Sequence, residues 1–364
     1  MSLVVNIDHK IILVLNSHPK IGSQTLKKIL AAFEDPSRIW SSSRHDLTAK
    51  LGEKLANLTL ESIQKFNPDD EIKRLTKYDV GYITIYDKEY PKLLKEIYDA
   101  PAILYVKGNI DALNCPSLGV VGSRKYSQYG ASVGYKLSKE CAMSGLTIIS
   151  GLALGIDAIA HRAAIDAGGV TVGVLGCGLD QVYPVSNHNL GKEIIAKAGA
   201  IISEFPIGTP PMKQNFPTRN RIIAGLSLGT LVVEAAFDSG SLITAGLALE
   251  YNREVFSVPG NIDSQMSEGT NKLIKEGAIP VTETGDILKI LNIEEKTNIV
   301  KAKQILPETK EEGIIVELLK TGEKSGDELI EKSKLNVIEL NSLLTMMELK
   351  GIVKNIGGGR YKLG

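Results

Sequence analysis

The stretch KQNFPTRNRIIAGLS, Lys213 to Ser227, places Lys213, Arg219 and Arg221 within nine residues, with no acid among them, and runs into an apolar helical pattern. A solvated helix mixes charges of both signs, and a buried one does not ordinarily open on two guanidiniums. Cations beside an aromatic ring, here Phe216, suit phosphate contacts combined with stacking of an unpaired base. The competing reading is a structural arginine pair tied to Glu204, Glu234 or Asp238. Both readings apply in part if one arginine is anchored and the other presented.

Glycines gather where strands are expected to end. Gly122, Ser123 and Arg124 follow VV in VVGSRKYSQYG; Gly151 and Gly155 stand in ISGLALGIDAIAHRAA; Gly176 and Gly178 in VLGCGLDQVYP; and Ser239, Gly240 and Ser241 in EAAFDSGSLITAG. Glycine lets backbone approach a ligand closely, and the free amides of a helix start attract anions. Four such loops along one sheet edge predict a crevice for phosphate or nucleotide. The common nucleotide motifs are missing: GCGLDQ carries Gln181 where a third glycine belongs, and no G-x-x-x-x-G-K-[ST] occurs. Ser123 and Ser241 lack the G-x-S-x-G setting of an activated nucleophile. Asp157 and His161, four apart on an expected helix, share a face. With no third ligand they read as a hydrogen-bonded pair holding the helix start against a loop, not as a metal site. Glu204 and Glu234 end strands and serve either as bases or as arginine partners. No catalytic group, metal or cofactor is expected.

Three textures divide the chain. Residues 1–75 read as short helices; PKIGSQTLKKILAAF has helical apolar spacing after a glycine turn. They read as a small helical bundle, SAM-like or helix-hairpin-helix-like, whose turn amides can approach a phosphate; a plain structural bundle is the equal alternative. Residues 76–293 alternate short apolar strands (GYITIY, AILYV, LGVVG, LTIISG, VTVGVLG, GAIISE, GTLVVEAA, EVFSVPG, AIPV) with helical segments, the pattern of an α/β, doubly wound, mostly parallel sheet. Residues 294–307 read as a polar linker. Residues 308–364 give three helices and two strands around Gly357–Gly359, the order of a winged helix. Its third helix carries only Lys350, opposed by Glu339 and Glu348, which favours protein contact over duplex binding. A late helix, EGTNKLIKEGAIPV, is expected to expose Leu273 and Ile274 as a dimer surface.

Composition sets outer bounds. The 364 residues carry 42 basic and 42 acidic side chains, so any nucleic acid must meet a local patch rather than a basic whole. Pro210 to Gly225 supplies such a patch, with three basic residues and no acid. The cysteines, Cys115, Cys141 and Cys177, form no C-x-x-C pair and read as reduced thiols. No apolar run reaches the roughly 18 residues of a membrane span, and no signal peptide is evident. The expectation is a soluble, cytoplasmic protein.

In order and over about Glu89 to Ile290, the runs GVVGSRKYSQYG, IISGLALGIDAIAHRAAI, VGVLGCGLDQVYPVSN, SEFPIGTPPMKQNFPTRNRIIAGLS and VVEAAFDSGSLITAGLALEYNREVFSVPGNID resemble the bacterial DNA-processing protein A (DprA, or Smf) family. The resemblance implies an extended Rossmann-like core that forms a homodimer and holds single-stranded DNA in a basic pocket. It implies protection of incoming DNA during natural transformation and loading of the RecA recombinase, without enzymatic activity, with single-strand-binding protein as a further partner. Carried over residue by residue, the pocket comprises Gly122, Ser123, Arg124, Lys213, Phe216, Arg219, Asn220 and Arg221, floored by Ser239, Gly240 and Ser241. One departure stands out: Leu154 occupies a place where the family commonly has arginine. A nucleotide-binding or nucleotide-hydrolysing enzyme on a related Rossmann-like core is the alternative.

Overall fold

The computed structural model describes residues 10–293, 309–320, 322–349 and 352–363. The expected linker, residues 294–307, lies outside them, as does Lys350. Contacts divide the chain into two compact units, Met1–Glu294 and Glu295–Gly364.

The first unit opens with five helices: α1 (Lys10–Asn16), α2 (Ser23–Ala31), α3 (Arg44–Leu51), α4 (Glu53–Lys65) and α5 (Pro68–Lys77). In α1, Ile11 to Leu15 are all buried, which is why its sequence shows no amphipathic period: it is wrapped by its neighbours. Ser43 and Asp46 close a capping box on α3, and Asn67 caps α5 ahead of Pro68. These helices share one hydrophobic core with Ile103, Tyr105, Leu175, Ile194 and Ile201 of the following segment. The change near residue 75 is therefore a change of secondary structure without a break in packing.

A nine-stranded sheet follows, β1 (Gly81–Thr84), β2 (Ile103–Gly108), β3 (Ser117–Val121), β4 (Thr147–Ser150), β5 (Thr171–Val174), β6 (Ala200–Ser203), β7 (Gly229–Val232), β8 (Glu254–Ser257) and β9 (Ile279–Pro280), in the order β1-β2-β6-β5-β4-β3-β7-β8-β9. All nine fall on runs the sequence marks as strands. Pairs from β6 through β9 are parallel, and strands β3 to β7 are buried along their whole length, as two-sided coverage requires. The edge strands β1 and β2 run antiparallel, so the sheet is mixed. The connection between them carries only the five-residue α6 (Lys92–Glu96) as an α-helix.

The crossover helices α7 (Gln128–Met143), α8 (Ile156–Asp166), α9 (His188–Ala196), α10 (Asn215–Leu226) and α11 (Gly240–Glu250) cover both faces. On one face Leu137 and Cys141 of α7 and Ala160 and Ala164 of α8 pack on Leu118, Val120 and Ile148. On the other, Ile222 and Ile223 of α10 and Ala245 and Ala248 of α11 pack on Val121, Ile149 and Val174. The chain winds outward from β3 through β4 and β5 to β6, then returns under α10 to β7 on the opposite side of β3. Strand order thus reverses between β3 and β7, where open α/β sheets form a crevice at the strands' carboxyl ends. Cys141 and Cys177 are buried and Cys115 is exposed.

The first unit ends in α12 (Glu268–Lys275) and α13 (Thr284–Ile290). The second unit comprises α14 (Lys310–Lys320), a short β10 (Lys324–Ser325), α15 (Gly326–Ser333), α16 (Val337–Leu349), β11 (Val353–Gly357) and β12 (Arg360–Leu363), with the sheet order β10-β12-β11. It is a winged helix around its own core of Ile315, Leu319, Leu329, Leu340, Leu344 and Met347. The two-residue β10 escapes sequence reading because it is defined only by its pairing with Arg360 and Tyr361. Among the described residues no helix is long and apolar enough to cross a membrane.

One sequence expectation fails here. Leu273, in α12 (Glu268–Lys275), is only 9 % exposed and belongs to the sheet's core, while the adjacent Ile274 is half-buried. Two neighbouring helical positions lie about 100° apart, so Leu273 faces inward and is not available as a dimer surface. Leu273→Ala is expected to cost about 2–5 kcal/mol of stability. Ile274→Ala is expected to cost less. Urea unfolding of both variants checks the order; equal, small losses would place Leu273 outside the core.

Candidate nucleic-acid interface

The loop after β3 and the loop after β4 are built against each other. A Cβ on Gly122 would lie 2.7 Å from the Ile156 side chain, and one on Gly155, which has φ +84°, would lie 2.3 Å from the Ser123 carbonyl oxygen. Ile156 N donates to Ser123 O at 3.2 Å, and Ser123 N to Glu234 O at 2.8 Å. The Ser123 hydroxyl closes its own turn by accepting from Lys125 N at 3.1 Å. Asp157, in the first turn of α8, accepts from Gly151 N at 3.1 Å and Ala153 N at 3.4 Å, and so ties the helix start to the loop as its position in the sequence suggests. His161 bonds Thr171 Oγ1 at 2.7 Å through Nδ1 instead of joining Asp157.

Helix α10 enters this edge from the side of β5. Asn215 donates to Gly176 O at 3.0 Å and fixes the helix start. Phe216 then stands half-buried with the Arg124 guanidinium 5.5 Å from its ring centroid and the Tyr183 ring 5.7 Å away, tilted by 32°. Arg124, Lys213 and Tyr183 are exposed. Arg219, one turn further, is 4 % exposed; its guanidinium donates to Val174 O and occupies the space that a side chain at Gly151 would fill. Burial draws its pKa down to about 10, against the opposing pull of Asp157 and with Arg124 adding to the drop. Burial likewise raises the Asp157 carboxyl, and Arg219 offsets part of the rise. Asn220 donates to Gly240 O at 3.4 Å and links α10 to the start of α11, where Ser239 caps Ser241 N.

Gly122, Arg124, Lys213, Phe216, Arg219, Asn220, Ser239, Gly240 and Ser241 line one cleft of about 660 Å³ at the reversal of strand order. Of the residues singled out from sequence, Ser123 is not among those lining the cleft; its hydroxyl is engaged in its own turn. Arg221 lies outside the cleft altogether. Residues two apart on a helix point about 200° apart, so Arg221 faces away from Arg219. It is 5 % exposed, ion-paired with Glu204, 3.8 Å from Asp99 and 3.1 Å from Ser23 Oγ. Its place in the phosphate pocket is thus corrected: it is the anchored arginine. Glu234 pairs with neither arginine; it accepts from Ser127 N at 2.9 Å. Leu154, 48 % exposed, borders a small hollow beside Arg124, Tyr183 and Phe216. Tyr183 and Asp157 were not foreseen as cleft residues. The aromatic at the end of GCGLDQVYP, past a strand, is the signal that marks Tyr183.

The cleft therefore offers an aromatic surface, two exposed cations, one buried guanidinium and the N-terminus of α11, without a metal-binding cluster among the described residues. A family model described as DNA recombination-mediator protein A matches residues 81–292, and a DprA winged helix domain model matches residues 301–359. A curated relative, protein Smf of Escherichia coli K12, is 50 % identical over 202 residues, which are 56 % of this chain and 54 % of that protein. The chain thus spans about half the length of that relative. The X-ray structure of DNA processing protein A from Streptococcus pneumoniae is similar at a TM-score of 0.69 and 37 % identity, covering 78 % of this chain and 98 % of that one. A structure of DNA processing protein A from Helicobacter pylori, described for its single-stranded DNA binding mode, is similar at a TM-score of 0.52 and 32 % identity, covering 58 % and 95 %.

Two stability outcomes follow from the buried charges. Arg221→Ala leaves Glu204 without its cation and is expected to cost about 3–5 kcal/mol at pH 7. Burial already raises the Glu204 carboxyl, so the loss should shrink in acid as that group takes a proton. Lys213→Ala, at an exposed site, should change stability by no more than about 0.5 kcal/mol. Chemical denaturation at pH 7 and pH 5 checks both; an Arg221→Ala protein as stable as Lys213→Ala would refute the anchoring role. His161 is buried, and burial with the nearby Arg219 charge pulls its pKa down to about 3. The unfolded chain takes up that proton near pH 6.5. The neutral ring's contribution is therefore complete above pH 6.5 and declines as pH falls, by about 2 kcal/mol at pH 5. His161→Asn should flatten the acid limb of the stability–pH curve relative to the parent; parallel curves would show that His161 does not set it.

Proposed function

The chain belongs to the DNA recombination-mediator protein A family, and on that premise we propose that it holds single-stranded DNA in the cleft between β3 and β7 and mediates recombination in natural transformation. The observation that carries the reading is the Phe216 ring, flanked by Arg124 and Tyr183, standing beside Lys213 and Arg219 in one cleft. A base stacks on the ring, and neighbouring phosphates meet Arg124, Lys213 and the amides that open α11. Arg219 contributes field more than contact, because its Nη1 is already committed to Val174 O.

The protein acts as a binding protein in this reading, not as a nucleotide-hydrolysing enzyme. Asp157, the carboxylate that lines the cleft, is held by loop amides, while Glu204 pairs with Arg221 and Glu234 accepts from the Ser127 amide. We further propose a cytoplasmic homodimer that hands its strand to RecA, with single-strand-binding protein as the displaced partner. Family membership supports this, and a mediator must hold the strand and meet the recombinase together. Leu273 takes no part in the dimer contact.

Binding to oligo-dT should weaken with salt, with a log–log slope of about −0.7 per neutralised phosphate. Arg124→Ala and Lys213→Ala should each flatten that slope. Phe216→Ala should cost about 1–3 kcal/mol of affinity with little change in slope, because stacking releases few ions. A matched duplex should bind more weakly throughout. Equal affinity for the duplex, or parental affinity in Phe216→Ala, would defeat the reading.

A further inference from the structure

A small hollow opens off the main cleft. Arg124, Ala153, Tyr183, Phe216 and Arg219 line both spaces, whereas Leu154 and Pro184 belong to the hollow. Its volume is about 50 Å³. An apolar cavity of about 150 Å³ takes a benzene ring. The hollow is therefore too small for a base and large enough for a methyl group.

Its chemistry narrows the choice. Ala153, Leu154, Pro184 and Phe216 give it a hydrocarbon wall, and its charged side chains are two guanidiniums, which donate hydrogen bonds and never accept them. Asp157, an acceptor, lines the main cleft but not the hollow, and it already takes the Gly151 and Ala153 amides. Leu154 is 48 % exposed at this place. A leucine left half in water gains when a hydrocarbon group covers it.

Continuity with the main cleft identifies the occupant. Because Phe216 lines both spaces, the edge of a base stacked on its ring lies at the mouth of the hollow. Thymine alone among the four DNA bases carries a methyl group, at C5, beside the O4 acceptor. That edge gives hydrocarbon to Leu154 and an acceptor to a guanidinium. Cytosine turns an amino donor toward the same guanidiniums and has no methyl to offer.

We infer that the hollow is a subsite for the thymine methyl group and that Leu154 sets a preference for thymine in the bound strand. The inference deepens the single-strand reading and rests on it. Phosphate contacts and stacking hold any unpaired strand; the hollow decides which base the ring holds best.

Oligo-dT, oligo-dU and oligo-dC of equal length are titrated against the full chain. The first two differ only in the methyl group. Oligo-dT is expected to bind about fourfold more tightly than oligo-dU, the worth of one methyl group taken out of water, and oligo-dC more weakly than either. A methyl group also strengthens stacking wherever it lies, so Leu154→Asn, which keeps the size and removes the hydrocarbon, locates the effect. In that variant oligo-dT and oligo-dU are expected to bind alike, and in Leu154→Ala the ratio is expected to fall between the two. Both changes lie at a half-exposed position, where substitutions disturb folding little. Equal affinity of the parent for oligo-dT and oligo-dU, a match of oligo-dC to oligo-dT, or a preference that survives in both Leu154 variants overturns the inference. If Phe216→Ala still weakens every strand in that case, the single-strand reading stands without it. Phe216→Ala binding every strand like the parent overturns that reading, and this inference with it.

Discussion

The constraint on which the rest depends is the burial of two guanidiniums on opposite faces of α10. An uncompensated buried charge costs several kcal/mol, so each arginine must be met by groups fixed elsewhere in the chain. Arg219 takes the carbonyl of Val174 and the field of Asp157, which requires the C-terminal ends of β4 and β5 to lie side by side. Arg221 takes Glu204, at the end of β6, and Ser23, at the start of α2. One helix thereby sets the spacing of three strand ends and docks the N-terminal helices on the sheet. Asn16 adds to the docking by donating to Tyr105 Oη at 3.1 Å and to Glu204 O at 3.2 Å.

With α10 pinned from both sides, its first turn is not free to move. Asn215 is held by Gly176, and Phe216 lies directly over that glycine, whose Cβ, were there one, would approach the ring to 3.2 Å. The ring is therefore presented at a fixed height above the sheet edge, between Arg124 from the β3 loop and Tyr183 from the loop after β5. Rigid placement matters for stacking, because a ring that must be ordered on binding loses part of the gain to side-chain entropy. Gly122, Gly151 and Gly155 serve the same end, since each makes room for a specific neighbour: Ile156, Arg219 and Ser123.

Much of this was legible in the chain because it depends on local period. Short apolar runs mark every strand of the large sheet, and the i, i+3 spacing of Phe216 and Arg219 places both on one face of one helix. The same period separates Arg219 from Arg221, and Leu273 from Ile274, by angles that forbid a common environment; the split of the arginines into different settings was legible, but the placement of Arg221 in the cleft and of Leu273 at the surface was not correct. What stayed hidden is long-range. Tyr183 reaches Phe216 across 33 positions of sequence (216 less 183), and the antiparallel setting of β1 and β2 depends on a pairing with β6 that no local pattern encodes. The shared core of the N-terminal helices and the sheet is of the same kind. Apolar residues announce that they will be buried, but not against what.

A chain with equal numbers of acids and bases has little long-range field with which to draw in a polyanion. At physiological ionic strength the Debye length is about 8 Å, so charges beyond the cleft's rim contribute little in any case. What remains is the local balance, and there arginines offset the buried carboxylates: Arg219 stands near Asp157, and Arg221 pairs with Glu204. Arg124 and Lys213 are left exposed at the rim without an ion pair among the described residues. On the proposed reading, selectivity then comes from shape. A duplex can present its phosphates to Arg124 and Lys213, but its bases are stacked on one another and cannot reach a ring set between two side chains. On the proposed reading, a neutral protein with a cationic rim and a recessed aromatic ring would thus discriminate against the form of DNA whose charge density is greater, because the charge contacts alone would not suffice to hold it.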